Sequence, residues 1–138
     1  SLSFGSALTF SSATVVYPVV AFDPNTAGKL VVFFRDSGNS GKGTAIVGTV
    51  TGTNIVFGSP TVLDFICSYN SISFASGIAN TFVVAYQIGG TGYGTASVGT
   101  ISGTSISFNS PTELRSSSPL TSNGPGDQIC IKFSATDP

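Results

Sequence analysis

"GTAIVGTVTGTNIVFGSPTVL", Gly43–Leu63, and "GTASVGTISGTSISFNSPTEL", Gly94–Leu114, are one pattern written twice, 51 residues apart. In each, apolar residues alternate with Ser, Thr and Gly at a period of two, as a strand with one buried face requires. In the first, Ile46, Gly48 and Val50 share a face, "TGTN" follows, and Ile55 and Phe57 continue beyond it. The short connection Thr51–Asn54 between two alternating runs predicts a β-hairpin.

The duplication extends upstream at an offset of 52: "PVVAFD", Pro18–Asp23, matches "SISFAS", Ser71–Ser76, and "KLVVFFRD", Lys29–Asp36, matches "TFVVAYQI", Thr81–Ile88. The odd residue is lost where "DSGNSGKG" becomes "GGTGYG", in a loop that absorbs length changes cheaply. Adding Gly43–Val50 with Gly94–Ile101, and Asn54–Leu63 with Ser105–Leu114, gives two four-stranded units, at about 18–63 and about 71–114. "SLSFGSALTF" aligns with the fourth strand, Phe4 on Phe57 and Phe108, and "CIKFSATDP" with the first, Phe133 on Phe22 and Phe74. The expectation is a single all-β domain over 1–138, of tandem four-stranded antiparallel units flanked by partial units at 1–10 and 128–138, about ten strands in all.

Four short antiparallel strands per 51 residues is the period of a propeller blade. "VVFFRDSGNSGKGTAIVGTV" in particular resembles the β-propeller-type repeats of secreted, surface and phage-associated proteins. The resemblance covers about three quarters of the chain and implies a blade-like fold more than a function. Propellers close with about four to eight blades, so two units do not make a ring. Several chains completing one ring, a fragment of a longer array, or a β-sandwich with an exchanged terminal strand are the alternatives.

Charged residues make up only 8% of the chain, against roughly 25% in an ordinary soluble domain, so Ser, Thr, Gly and Asn must cover its surface. A net charge of −1 gives no electrostatic footprint for nucleic acid. No window approaches the ~18 apolar residues of a membrane-spanning helix, so membrane insertion is not expected. The first ten residues lack the basic and continuous apolar regions of a signal peptide. So little charge also defends weakly against self-association.

The chain has no His, which removes Ser-His-Asp and Cys-His arrangements, and no Gly-rich phosphate loop opens a helix. No enzymatic activity, metal or cofactor is expected. Two cysteines without His do not complete a zinc ligand set. Cys67 and Cys130 lie near the starts of equivalent strands and are read either as a disulfide or as two buried thiols. A disulfide, like the Lys-poor surface, points outside the cytosol.

Arg35–Gly43 is the most polar stretch. Asp36, Ser37 and Asn39 offer oxygens to Ca²⁺, or cap their own backbone in a turn. Lys42 and Tyr93 occupy corresponding loop positions, and with Asp36 and Asn39 they form a candidate ligand loop. Tyr17, Tyr69 and Tyr86 are further candidates for stacking on sugars. The recurring Phe4, Phe22, Phe57, Phe74, Phe108 and Phe133 read as core. Finally, Leu2, Phe4, Leu8 and Phe10 line one face of an N-terminal strand with no charge, Pro or bulge to guard its edge. That strand is expected to add to a sheet, including that of a neighbouring molecule. The function expected is a non-enzymatic structural subunit, extracellular or on a cell or virion surface. It would assemble with copies of itself into a homo-oligomer or filament through strand addition and sheet packing. The alternative is a carbohydrate-binding, lectin-like propeller module whose partners are glycans.

Overall fold

Alternation at period two, with Gly and Pro spread throughout, leaves strand as the regular structure this sequence favours. The computed structural model describes residues 4–114 and 130–132. Among them the regular elements are nine strands and one 3-10 turn, Ser37–Asn39. In chain order the strands are β1 (Val15–Phe22), β2 (Lys29–Asp36), β3 (Lys42–Thr51), β4 (Asn54–Phe57), β5 (Thr61–Phe74), β6 (Thr81–Ile88), β7 (Gly94–Ser102), β8 (Ser105–Phe108) and β9 (Thr112–Glu113). They form one open antiparallel sheet in the order β1-β2-β3-β5-β6-β7-β8, with β4 also on β3 and β9 also on β7.

The repeated "VGT" has a packing reason. Gly48 lies opposite Leu30 on one side and Phe57 on the other, and Gly99 lies opposite Phe82 and Phe108. A side chain at Gly99 would collide with the Phe82 ring. The rings of Phe82 and Phe108 instead meet edge to face, 5.8 Å between centroids. A strand glycine flanked by aromatics lets its neighbours close over the bare backbone. The hairpins that follow turn on Gly52 and Gly103, both at φ +61°. Thr51 pairs with Asn54 and Ser102 with Ser105, so each loop has two residues with Gly first, as a type II′ turn requires.

The structure corrects the strand boundaries. The fourth strand, expected unbroken over 54–63 and 105–114, stops at Phe57 and at Phe108. Ser59-Pro60 and Ser110-Pro111 follow, and Pro cannot donate to the ladder. The tail of the first copy does not end there: it runs on as β5, fusing the expected strand 71–76 to residues 61–63 in 14 continuous residues. One half of β5 pairs with β3, through Thr61, Val62 and Ile66. The other half, Cys67–Phe74, pairs with β6. One strand therefore belongs to both units.

The terminal partial units are not strands where they are described. Residues 4–9 form no strand, and Leu2 lies outside the described residues. Phe4 and Leu8 are exposed, while Phe10 packs against Phe34 and Phe57 at 5.2 and 5.8 Å between ring centroids. Gly5 passes so close to the Thr53 carbonyl that a side chain would collide with it, and Gly58 stands in the same relation to Thr104. The N-terminal segment thus packs on unit one as the end of unit one's own fourth strand packs on unit two. Of the C-terminal partial unit, residues 130–132 form no strand, and Phe133 lies outside the described residues. The Ile131 amide donates to Ser71 Oγ at 3.1 Å, which sets this segment beside β5.

Period-two alternation gives each unit two faces, and the faces do not match. The back face of unit two carries Ile72, Phe74, Phe82, Val84 and Tyr86; the forward face of unit one carries Val19, Ala21, Val31, Phe33, Ala45 and Val47. These two faces pack together as the main core. Phe33 meets Tyr86 across it, 6.0 Å between ring centroids. A second, smaller core lies on the back face of unit one, where Leu30, Val32, Phe34 and Ile46 are covered by Phe10, Val15, Val50 and Phe57.

Candidate functional site

The junction between the units is latched at its loop end by one carboxylate. Asp23 is buried, although the chain leaves β1 there for a turn. Its Oδ1 accepts from the Asn25 amide at 2.8 Å, and its Oδ2 accepts from the Asn80 amide of unit two at 3.0 Å. Asn25 Nδ2 donates to the Ala75 carbonyl at 3.0 Å, and Lys29 Nζ donates to Asn80 Oδ1 at 3.2 Å. Burial pushes the Asp23 carboxyl upward, but the amides of Asn25 and Asn80, helped by the Thr26 and Asn25 side chains, outweigh it and hold the carboxyl below its usual range. Asn80 sits at φ +60°, where its repeat counterpart is Gly28 at φ +73°. The hydrogen bonds to Asp23 and Lys29 hold it there. At other points of the junction the Arg35 guanidinium donates to Ser68 Oγ at 3.3 Å, and Thr61 Oγ1 donates to the Ile106 carbonyl at 3.1 Å.

The candidate ligand loop divides. Asp36 accepts from the Gly38 amide at 2.9 Å and from Asn39 Nδ2 at 2.7 Å, so its carboxylate caps its own turn. Lys42 faces Asp36 in register and pairs with the exposed Asp64 at 3.6 Å, a surface contact of little energetic weight. Tyr93 stands in the other hairpin, its amide donating to Thr91 Oγ1. Asn39 is hydrogen-bonded to Asp36 and Lys42 lies opposite Asp36 in register, whereas Tyr93 belongs to the β6–β7 connection. Among the described residues no three His, Cys, Asp or Glu side chains group to hold a metal ion.

Cys67 and Cys130 are both free thiols. Cys67 points into the shared core from β5, and its Sγ lies 3.4 Å from the Phe65 carbonyl, whereas Cys130 is exposed. Burial pushes the Cys67 thiol up to about 12, against the smaller opposing effects of the Gly43 backbone and the Arg35 charge. The two cysteines thus form neither the disulfide nor the pair of buried thiols, since both are free and only Cys67 is buried, and the disulfide's argument for an extracellular setting falls with it.

Tyr17 and Tyr69, named above as separate stacking candidates, stand at equivalent positions and form a pair, which the sequence reading did not foresee. Tyr17 and Tyr69 lie 52 residues apart, each at a bulge in the first strand of its unit. Both adopt positive φ, +52° and +53°, which non-glycine residues rarely do. Their rings meet at 5.3 Å between centroids. The neighbouring Asn70, buried, donates from Nδ2 to the Tyr17 carbonyl at 3.1 Å, and its Oδ1 has no partner among the described residues. The signal was present in the shared offset. Tyr86, by contrast, is wholly buried with its hydroxyl 3.0 Å from Ser97 Oγ, which removes it from the stacking candidates.

The largest differences between the units lie in what their faces expose. Phe74 is 6% exposed in unit two, and its counterpart Phe22 is 57% exposed in unit one. Ile106 is 7% exposed, and its counterpart Ile55 is 38% exposed. On the forward faces, Val47 of unit one is buried and Val98 of unit two is 37% exposed. At these three positions the copy that faces the other unit is closed and its counterpart is open, whereas Leu30, Val32, Phe34 and Ile46 on unit one's back face are closed by Phe10, Val15, Val50 and Phe57 instead.

No protein-family model matches the chain, and neither a curated protein nor a solved structure does.

Proposed function

We propose that the chain is a non-enzymatic structural subunit, built from two propeller-blade-like units, that self-associates through its sheet faces. The observation that carries this reading is the contrast between Phe74, buried against unit one, and Phe22, open at the same position of unit one. A face evolved to be covered has the composition of Val20, Phe22, Leu30, Val32 and Phe34, and only part of it is covered here. Fully burying a side chain such as Phe22 contributes about 1.5–3 kcal/mol. Association costs at least about 4 kcal/mol in lost rigid-body freedom. One side chain is therefore too little, and the whole face must engage, giving weak, concentration-dependent assembly.

Face packing is favoured over strand addition. The edge strand β1 carries a bulge at Tyr17 and a proline, Pro18, and the strands at the other end, β8 and β9, have four and two residues. Bulges, Pro and short length are the devices that block an added strand. The buried carboxylates of Asp23 and Asp36 are committed to holding turns, which suits a structural role. An extracellular or surface setting rests on the charge-poor composition. Sedimentation velocity over about a hundredfold range of concentration tests the proposal. A rising sedimentation coefficient is the expected result, and a single monomeric species at every concentration refutes it.

A second reading, glycan binding, is favoured by the Tyr17–Tyr69 pair. Strained aromatic residues repeated at one position suit stacking on sugar rings, and held strain is characteristic of functional sites. A glycan array probed with the wild-type chain and with Tyr17→Ala checks it. Binding by wild type that the variant loses supports the reading, and an array without binders removes it.

A further inference from the structure

We infer that the Tyr17–Tyr69 pair and the Arg35 guanidinium together form a site for an acidic saccharide, a sugar that carries a carboxylate or a sulfate. This rests on the glycan reading given above and adds the class of glycan. Arg35 lies opposite Val16, the residue before Tyr17, and its Nη1 donates to the hydroxyl of Ser68, the residue before Tyr69, at 3.3 Å. One cation therefore stands beside the strand bulges that carry both tyrosines. It does so at the end of β1 away from Asp23.

The two ends of the junction differ in how their charge is met. At one end the Asp23 carboxylate accepts from two backbone amides, at 2.8 and 3.0 Å. At the other, Arg35 is half-buried and has the neutral Ser68 hydroxyl, and among the described residues no carboxylate lies within ion-pair distance of it. The nearby acids are engaged elsewhere: Asp36 caps its own turn, and Asp64 pairs with Lys42. The guanidinium rests against the bare backbone of Gly41, where a side chain would meet Nε at 2.9 Å. A guanidinium has five donors in a planar fork that matches the oxygens of a carboxylate or a sulfate. Beside it, Tyr17 is 39% exposed. The face of an aromatic ring is slightly negative and suits the C–H face of a sugar. A bare anion would use the cation alone, whereas an acidic sugar uses cation and ring together. In unit two the counterpart of Arg35 is Gln87, so the cation occurs once and the molecule holds one such site, made by both units.

A glycan array with neutral, carboxylated and sulfated members tests this on the full chain. Wild type is expected to bind acidic members, and the carboxylated and sulfated sets tell which oxyanion is taken. Arg35→Gln, which matches unit two at Gln87, is expected to weaken binding to those members at least about tenfold, and Tyr17→Ala to weaken it likewise. A cooperative urea transition in each variant shows that it is folded when probed. Wild type that binds neutral members as well as acidic ones, with Tyr17→Ala binding neither, would overturn the acidic class and leave the glycan reading standing. Acidic binding that Arg35→Gln retains in full would overturn it equally. Inorganic sulfate that displaces an acidic glycan at the glycan's own concentration would reduce the site to one for simple anions and overturn the saccharide. An array without binders removes the glycan reading itself.

Discussion

Asp23 shows what one side chain contributes at the junction. Its two oxygens join a turn of unit one to the Asn80 loop of unit two, and hydrogen bonds to a buried charged group are worth about 1.5–3 kcal/mol. Asp23→Ala is accordingly expected to lower stability by about 2 kcal/mol in urea unfolding. The pH dependence has a definite sign. The folded carboxyl titrates below its unfolded value of about 3.9, so its contribution is complete above that pH and is lost as pH falls through the lower, folded value. Wild type and Asp23→Ala are expected to differ at neutral pH and to converge in acid; a gap that persists at the acid limit would refute the carboxylate as its cause. Gly99 makes a separate case. A methyl group there meets the Phe82 ring, so Gly99→Ala is expected to lose about 1–3 kcal/mol despite the higher strand propensity of Ala, and an unchanged urea midpoint would contradict that packing. At this scale the sequence was partly legible. Alternation placed Gly48 on a face with Ile46 and Val50 but gave no role to it or to Gly99, and the latch was hidden because Asp23 becomes Ala75 in the second unit, so no repetition drew attention to it.

The element that decides the architecture is β5. Strands β2 and β6 were legible to the residue, because "KLVVFFRD" and "TFVVAYQI" are apolar runs flanked by Gly, Asn and Ser. The continuity of β5 was not, because "SPTVLDFICSYNSISF" interrupts its alternation at Cys67–Asn70, where the strand changes partner from β3 to β6. The same change fixes Cys67 at the centre of both units. The chemical consequence is testable with a thiol reagent in native buffer. Cys130 is expected to react at once, being exposed, whereas Cys67, buried and with its thiol raised to about 12, reacts only when β5 leaves the core. Since β5 is shared, that opening separates both units. The free energy from Cys67 labelling should equal that from global urea unfolding. A clearly smaller labelling value would show that one unit opens while the other remains folded.

For the molecule as a whole, the repeat frame and the two-faced units could be read from period and offset, whereas the way the faces mate could not. Val20 and Phe22 look the same in sequence as Ile72 and Phe74; only the position of unit one over unit two buries Phe74 and part of Ile72 and leaves Val20 and Phe22 open. The number of units that would complete a ring is likewise absent from the local pattern, because each unit encodes contact with its neighbours and not the rotation between them. The chemistry of the open faces does set how assembly must respond to conditions. They hold almost no charge, so association owes little to Coulomb attraction, which added salt would screen. It owes most to removal of apolar surface from water, which weakens on cooling and strengthens with excluded salts such as sulfate. The dissociation constant is therefore expected to change little with added sodium chloride, to fall with ammonium sulfate and to rise on cooling. Calorimetric dilution across several temperatures should give a negative heat-capacity change on association. An affinity that drops steeply with sodium chloride would instead place the contact on the few surface charges, Lys42 and Asp64 among them, and away from the faces that carry Phe22 and Val98.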